Sequence, residues 1–155
     1  MPEHHDLIVN GAARSVEAED GATLLHVLRN LLDLKGARFG CGAEACGACM
    51  VLVDGTPRFS CTTTLDAVAG KNITTIEGLG TAENPHAVQA AFLALNAGQC
   101  GYCVSGIMIS AAALLAKNAK PSRADIVAAL EPHLCRCGAH DRIIKAVQKA
   151  AELTP

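Results

Sequence analysis

The chain has 155 residues, half of them apolar, with 13 basic residues against 15 acidic ones and a formal charge of −2. Its only aromatics are Phe39, Phe59, Phe92 and Tyr102. That composition excludes a base-stacking platform and a phosphate-tracking basic stripe, so nucleic acid is not a partner.

Length alone admits one domain or two small ones, and a core must rest on Ala, Val, Leu and Ile. Leu7-Ile8-Val9 followed by Asn10-Gly11 is a type I′ hairpin signal, with a return strand around Ser15 to Glu17. Leu24, Leu25, Val27, Leu28, Leu31 and Leu32 recur at helical spacing, predicting a helix over Ala22 to Leu34. Asp20 or Thr23 would cap its start, and Gly36 would supply its left-handed stop. Met50 to Val53 reads as a buried strand, Asp54-Gly55 as a tight turn, and Arg58 to Ser60 as the returning strand. Asn72 to Glu77 predicts a last strand, and this order resembles a β-grasp sheet.

Beyond about Gly80 the pattern becomes purely helical. Asn84 and Pro85 would open a helix reaching Asn96, and Val104 to Lys117 gives a second. Ser122 to Asp125 resembles a capping box leading a third helix to about Leu130, and Asp141 to Glu152 is a fourth. The fold expected is therefore α+β, with a β-grasp domain over residues 1–80 and a four-helix domain over residues 81–155.

The eight cysteines form two sets of four with none left over: Cys41, Cys46, Cys49 and Cys61, then Cys100, Cys103, Cys135 and Cys137. A disulfide framework would require an oxidising compartment. Met1 to Asp6 has no basic region leading into an apolar one, so it does not read as a signal peptide, and Val104 to Ala116 is too short to span a bilayer. The expectation is a soluble chain without membrane insertion, its thiols reduced unless ligated. It would be cytoplasmic, or co-exported to the periplasm with a partner bearing the signal.

Cys41-x4-Cys46-x2-Cys49 is the plant-type [2Fe–2S] opening, and Cys61 follows after a hairpin's length. Gly40, Gly42 and Gly47 let the loop curl so that backbone N–H groups point at sulfur. Zinc, the alternative, usually takes paired Cys-x2-Cys knuckles. The second set leaves zinc more open, since Cys100-x2-Cys103 and Cys135-x1-Cys137 could hold it and His133 offers a spare nitrogen. Both cysteine pairs precede helices, however, whose positive dipole ends favour an anionic cluster. His4 and His5 fall at an expectedly frayed terminus, His26 and His86 read as surface or satisfied residues, and Glu44 as solvent-facing. No Ser/His/Asp grouping or nucleotide fingerprint appears.

Gly40-Cys41-Gly42, Cys46-Gly47-Ala48-Cys49, Ser60-Cys61, Gln99-Cys100-Gly101-Tyr102-Cys103 and Leu134-Cys135-Arg136-Cys137-Gly138 together resemble the small iron–sulfur subunit of the xanthine oxidase family of molybdenum hydroxylases. The resemblance covers nearly the whole chain. It implies a ferredoxin-like first domain and a four-helix bundle as the second, each holding one [2Fe–2S] cluster, and a molybdenum pterin cofactor in a large partner subunit. It implies that the helical-domain cluster lies nearest the pterin, that Gln99 hydrogen-bonds the pterin, and that Cys137 is the ligand through which electrons enter. Many members continue Cys-Arg-Cys-Thr-Gly-Tyr, whereas Cys137 is followed here by Gly138-Ala139-His140. This looks like the branch of isoquinoline oxidoreductase, nicotinate dehydrogenase and related aldehyde dehydrogenases. Several of those deliver electrons to cytochrome c or a membrane chain in place of a flavin subunit.

The expected activity is electron transfer during oxidation of an aldehyde or N-heteroaromatic by the partner, with no catalysis by this chain alone. The alternatives are a free-standing two-cluster ferredoxin-type carrier and a zinc-stabilised interaction module.

Overall fold

A computed structural model describes residues 1–154; Pro155, the last residue of the expected helical unit, lies outside them. Strands β1 (Glu3–Val9), β2 (Ala12–Ala18), β3 (Met50–Val53), β4 (Thr56–Phe59) and β5 (Asn72–Thr74) form one mixed sheet in the order β2-β1-β5-β3-β4. β1 and β5 run parallel and the other pairs antiparallel. Both hairpin turns have left-handed backbone at the expected positions, with φ of 51° and 77° at Asn10 and Gly11 and 49° and 77° at Asp54 and Gly55.

β1 is longer than the sequence suggests. His4 and His5 are not frayed: they pair with Glu17 and Val16, and the Ser15 hydroxyl lies within hydrogen-bond distance of both His4 and Asp6. β5 is shorter, because Ile76–Gly78 turns into a 3₁₀ segment.

The first helix is also more compact than its periodicity implies. Helix α1 (Leu24–His26) is capped by Thr23, whose hydroxyl accepts from the His26 amide at 3.3 Å, and it widens into a π turn over Val27–Leu31. Asp33, not Gly36, takes the left-handed stop, with φ of 57°. Gly36 is needed for close packing instead, since a Cβ there would stand 2.1 Å from Ile76 Cγ2. Leu24, Val27 and Leu28 from this segment pack with Leu7, Val9, Val51 and Ile73 of the sheet in the first core.

Helices α2 (Ala87–Ala94), α3 (Val104–Lys117), α4 (Arg123–Leu130) and α5 (His140–Leu153) form the second core around Val88, Ile107, Ile126, Ile143 and Val147. Burying each such side chain contributes roughly 1.5–3 kcal/mol. The Ser122–Asp125 capping box is present, with the Ser122 hydroxyl accepting from the Asp125 amide and the Asp125 carboxylate accepting from the Ser122 amide. α2 begins later than expected. His86, not Asn84, is its cap: Nδ1 accepts from the Val88 amide at 3.2 Å, and Gln89 Oε1 accepts from the His86 amide at 2.9 Å.

β3 is buried on both faces, which explains its unbroken apolar run. One face joins the first core, and the other places Met50 and Leu52 against Ile109 and Ala113 of α3. Gly106 of α3 comes so close to the first cysteine loop that a Cβ would lie 2.0 Å from the Gly47 carbonyl oxygen. The two cysteine loops are thereby brought together at the same junction.

Candidate iron–sulfur centres

The first loop is led in by Ala37, whose carbonyl accepts from Arg29 at 2.8 Å, and is closed by the β3–β4 hairpin. The hairpin returns Ser60 to Cys49, where the Ser60 hydroxyl donates to the Cys49 carbonyl at 2.6 Å, and so sets Cys61 beside Cys49. Cys41 lies exposed on the loop, whereas Cys49 and Cys61 are buried. Positive φ at Gly42 (67°), Glu44 (56°) and Gly47 (73°) curls the backbone inward. The amides of Ala43 and Ala45 donate to Cys41 Sγ at 3.3 and 3.2 Å. These donors lower the Cys41 thiol to about 7, which favours the thiolate that a metal requires. Burial has the opposite effect on Cys49, pushing it up to about 11.

In the second set, Cys103 is the N-cap of α3, and Cys135 and Cys137 precede Ala139, the N-cap of α5. The Tyr102 amide beside it lowers the exposed Cys100, while burial raises Cys103 to about 12. Gln99 is exposed next to Cys100.

Among the described residues, no three His, Cys, Asp or Glu side chains converge on a point where a single ion could sit. Within each quartet the thiols lie near enough to influence one another: Cys41 with Cys46, Cys49 with both Cys61 and Cys46, Cys100 with Cys137, and Cys103 with both Cys135 and Cys100. A tetrahedral zinc ion would gather four donors at one centre. A [2Fe–2S] cluster takes four thiolates over two irons, two to each, with sulfide bridges between. The all-thiol donor sets, with the amides of Ala43 and Ala45 directed at Cys41 Sγ, fit the cluster in both quartets.

His133 is engaged away from the second thiol set. Its buried ring places Nε2 2.7 Å from the Ser110 hydroxyl, while Nδ1 is packed beside Gly47 without a hydrogen-bond partner among the described residues. Burial lowers it to about 4, so it is neutral at physiological pH. The loops also touch directly, since the Leu134 amide donates to the Cys46 carbonyl at 3.1 Å. One cleft is lined by Gly40 and Cys46 from the first unit and by Cys100, Tyr102, Cys135 and Cys137 from the second. Sequence reasoning missed Arg38 and Ser110 as residues of this junction, because nothing in their local pattern signals contacts more than twenty positions away. The positive φ at Glu44 was also hidden, since glycine usually marks such sites.

A family described as a 2Fe-2S iron-sulfur cluster binding domain matches residues 7–74, and one described as a [2Fe-2S] binding domain matches residues 75–148. One subunit of the nicotinate dehydrogenase of Pseudomonas putida is 48% identical over 94% of this chain and 93% of its own. The alpha subunit of isoquinoline 1-oxidoreductase from Brevundimonas diminuta is 47% identical over 95% of this chain and 97% of its own. The crystal structure of quinoline 2-oxidoreductase from Pseudomonas putida 86 has a chain that superposes with a TM-score of 0.92 at 35% identity, covering 97% of this chain and 94% of that one. The aldehyde oxidoreductase of Desulfovibrio desulfuricans superposes with a TM-score of 0.93 at 38% identity, but only 17% of that longer chain is covered. The chain belongs to the two-cluster iron–sulfur subunits of the xanthine oxidase family of molybdenum hydroxylases, where its role is electron transfer.

Proposed function

We propose that Cys41, Cys46, Cys49 and Cys61 ligate a plant-type [2Fe–2S] cluster and that Cys100, Cys103, Cys135 and Cys137 ligate a second one. The curled first loop, whose Ala43 and Ala45 amides point at Cys41 Sγ, and the two [2Fe-2S] domain families matched over residues 7–74 and 75–148 support this reading. Each cluster, when bound, accepts and passes one electron at a time. The chain's own task is to hold the two ligand sets at a fixed separation, to donate N–H groups toward sulfur and to exclude water from the buried ligands. The boundary between its two units falls near residue 80.

Electrons from the molybdenum pterin of a large partner subunit enter at the helical-unit cluster, with Cys137 as the ligand on the entry side, and leave from the plant-type cluster. The exposure of Gln99 beside Cys100, and of Tyr102 and Leu134 at the same end, supports docking of the partner there. Gln99 hydrogen-bonds the pterin. Relatives named for nicotinate and isoquinoline favour an N-heteroaromatic substrate, with an aldehyde as the other candidate. The acceptor is a cytochrome c, a flavin subunit or another electron acceptor, and the complex works in the cytoplasm or is co-exported to the periplasm. Among the described residues, no helix is long and apolar enough to cross a membrane.

The test is rapid mixing of the assembled complex with its substrate. Gln99→Ala is expected to slow cluster reduction while leaving iron content intact. Unchanged reduction kinetics would remove Gln99 from the route. Elution of the chain alone, with no molybdenum partner, would favour the free-standing carrier instead.

A further inference from the structure

Arg38 stands three residues before Cys41, yet its side chain serves the other quartet. Its backbone is pinned in the first unit, where its amide donates to the Ala48 carbonyl at 3.0 Å. From there Nη1 donates to the Gly101 carbonyl and, at 3.1 Å, to the Tyr102 carbonyl, the two residues between Cys100 and Cys103. The Tyr102 hydroxyl donates back to the Phe39 carbonyl, and the Arg38 guanidinium lies 5.4 Å from the centre of the Tyr102 ring. The two loops are thus clasped from both sides. Among the described residues no carboxylate pairs with Arg38, so its charge is not neutralised by a neighbour.

We propose that Arg38 is a positioning residue that locks the Cys100–Cys103 loop onto the first unit and, through its charge, selectively raises the reduction potential of the helical-unit cluster. The inference rests on the ligand assignment above. Reduction adds one electron to a centre already rich in negative charge, and a fixed cation nearby stabilises the reduced form more than the oxidised one. Arginine suits the task because it stays charged across the accessible pH range, and here its Nη1 reaches both carbonyls. The charge is placed unequally with respect to the two quartets: the guanidinium bonds the carbonyls of Gly101 and Tyr102, inside the Cys100–Cys103 loop, and among the described residues its side chain donates to no group of the Cys41–Cys49 loop.

The test is an EPR-monitored redox titration of the full chain loaded with both clusters, with the two signals assigned through Cys61→Ser and Cys137→Ser. Arg38→Gln is expected to lower the helical-unit midpoint. At the wild-type midpoint its reduced-to-oxidised ratio should fall about tenfold, which is ~59 mV for a one-electron couple. The plant-type midpoint should move far less, Arg38→Lys should retain most of the wild-type value, and Tyr102→Phe should leave both midpoints in place. If Arg38→Gln fails to load, Arg38→Met provides the uncharged comparison. An unmoved helical-unit midpoint at full iron and sulfide content would overturn the inference, as would equal shifts of both clusters or an equal loss in Arg38→Lys. Absence of two [2Fe–2S] signals in the wild-type chain would instead remove the ligand assignment beneath it.

Discussion

Gly106→Ala sets two effects of opposite sign against each other. Gly106 lies inside α3, where alanine is favoured over glycine by about 1 kcal/mol. The new Cβ would meet the Gly47 carbonyl oxygen at 2.0 Å, its carbon at 3.1 Å and the Ala48 carbonyl carbon at 3.4 Å. These are backbone atoms in a loop with little freedom: Gly47 sits at φ 73° between Cys46 and Cys49, and its carbonyl accepts from the Met50 amide at 3.1 Å. Overpacking of this kind costs typically ~1–3 kcal/mol, and the rigidity of the obstacle points to the upper end. The net expectation is a loss of about 1–2 kcal/mol. For a chain of this size each 1 kcal/mol moves the melting temperature by roughly 2–4 °C. The assay is the temperature at which the cluster-loaded chain loses its visible absorbance, with the plant-type EPR line shape as a second readout. An unchanged or raised melting temperature would refute the reasoning, since helix propensity would then have outweighed the contact.

Three further outcomes follow from the same geometry. Cys61→Ser should abolish the plant-type EPR signal and leave the helical-unit signal, because the two quartets share no thiol; loss of both signals would contradict two separate sites. Cys137→Ser in the assembled complex should impair reduction by substrate more than binding of substrate, as measured by single-turnover reduction against equilibrium binding. His86→Ala should cost about 1 kcal/mol at neutral pH, through loss of the α2 cap. Burial depresses His86 below the ordinary histidine value of 6.5. Its contribution is therefore present above 6.5 and lost as pH falls through the folded-state value, where a protonated Nδ1 can no longer accept from Val88. Melting temperatures of wild type and variant should converge in mild acid, and a gap that widens there would contradict the capping role.

Elements whose signal is local were legible in the sequence. Asn10-Gly11 and Asp54-Gly55 announce their turns, Ser122 and Asp125 their cap, and the double-faced burial of β3 is written in Met50 to Val53. The cysteine spacing was legible in the same way, since Cys41 to Cys49 lie on one loop and Cys61 is a hairpin away. Elements decided by distant neighbours were not legible. Gly36 looks like a helix stop until Ile76 is seen packed against it, and Asp33 takes the stop instead. His133 looks like a spare ligand until α3 brings Ser110 to Nε2 and the ring is seen buried beside Gly47. His86 caps α2 because Gln89 completes the reciprocal bond, a pairing that the more common Asn-Pro signal masks. Arg38 reads as an ordinary loop cation, and its clasp on Gly101 and Tyr102 exists only once α3 has packed against β3.

The most direct measurement is iron and acid-labile sulfide analysis combined with EPR of the dithionite-reduced full chain. Two distinct [2Fe–2S] signals, with equal amounts of iron and sulfide sufficient for two clusters, are predicted. A colourless chain containing zinc and no labile sulfide, or a chain that gives a single signal after full reconstitution, would contradict the account.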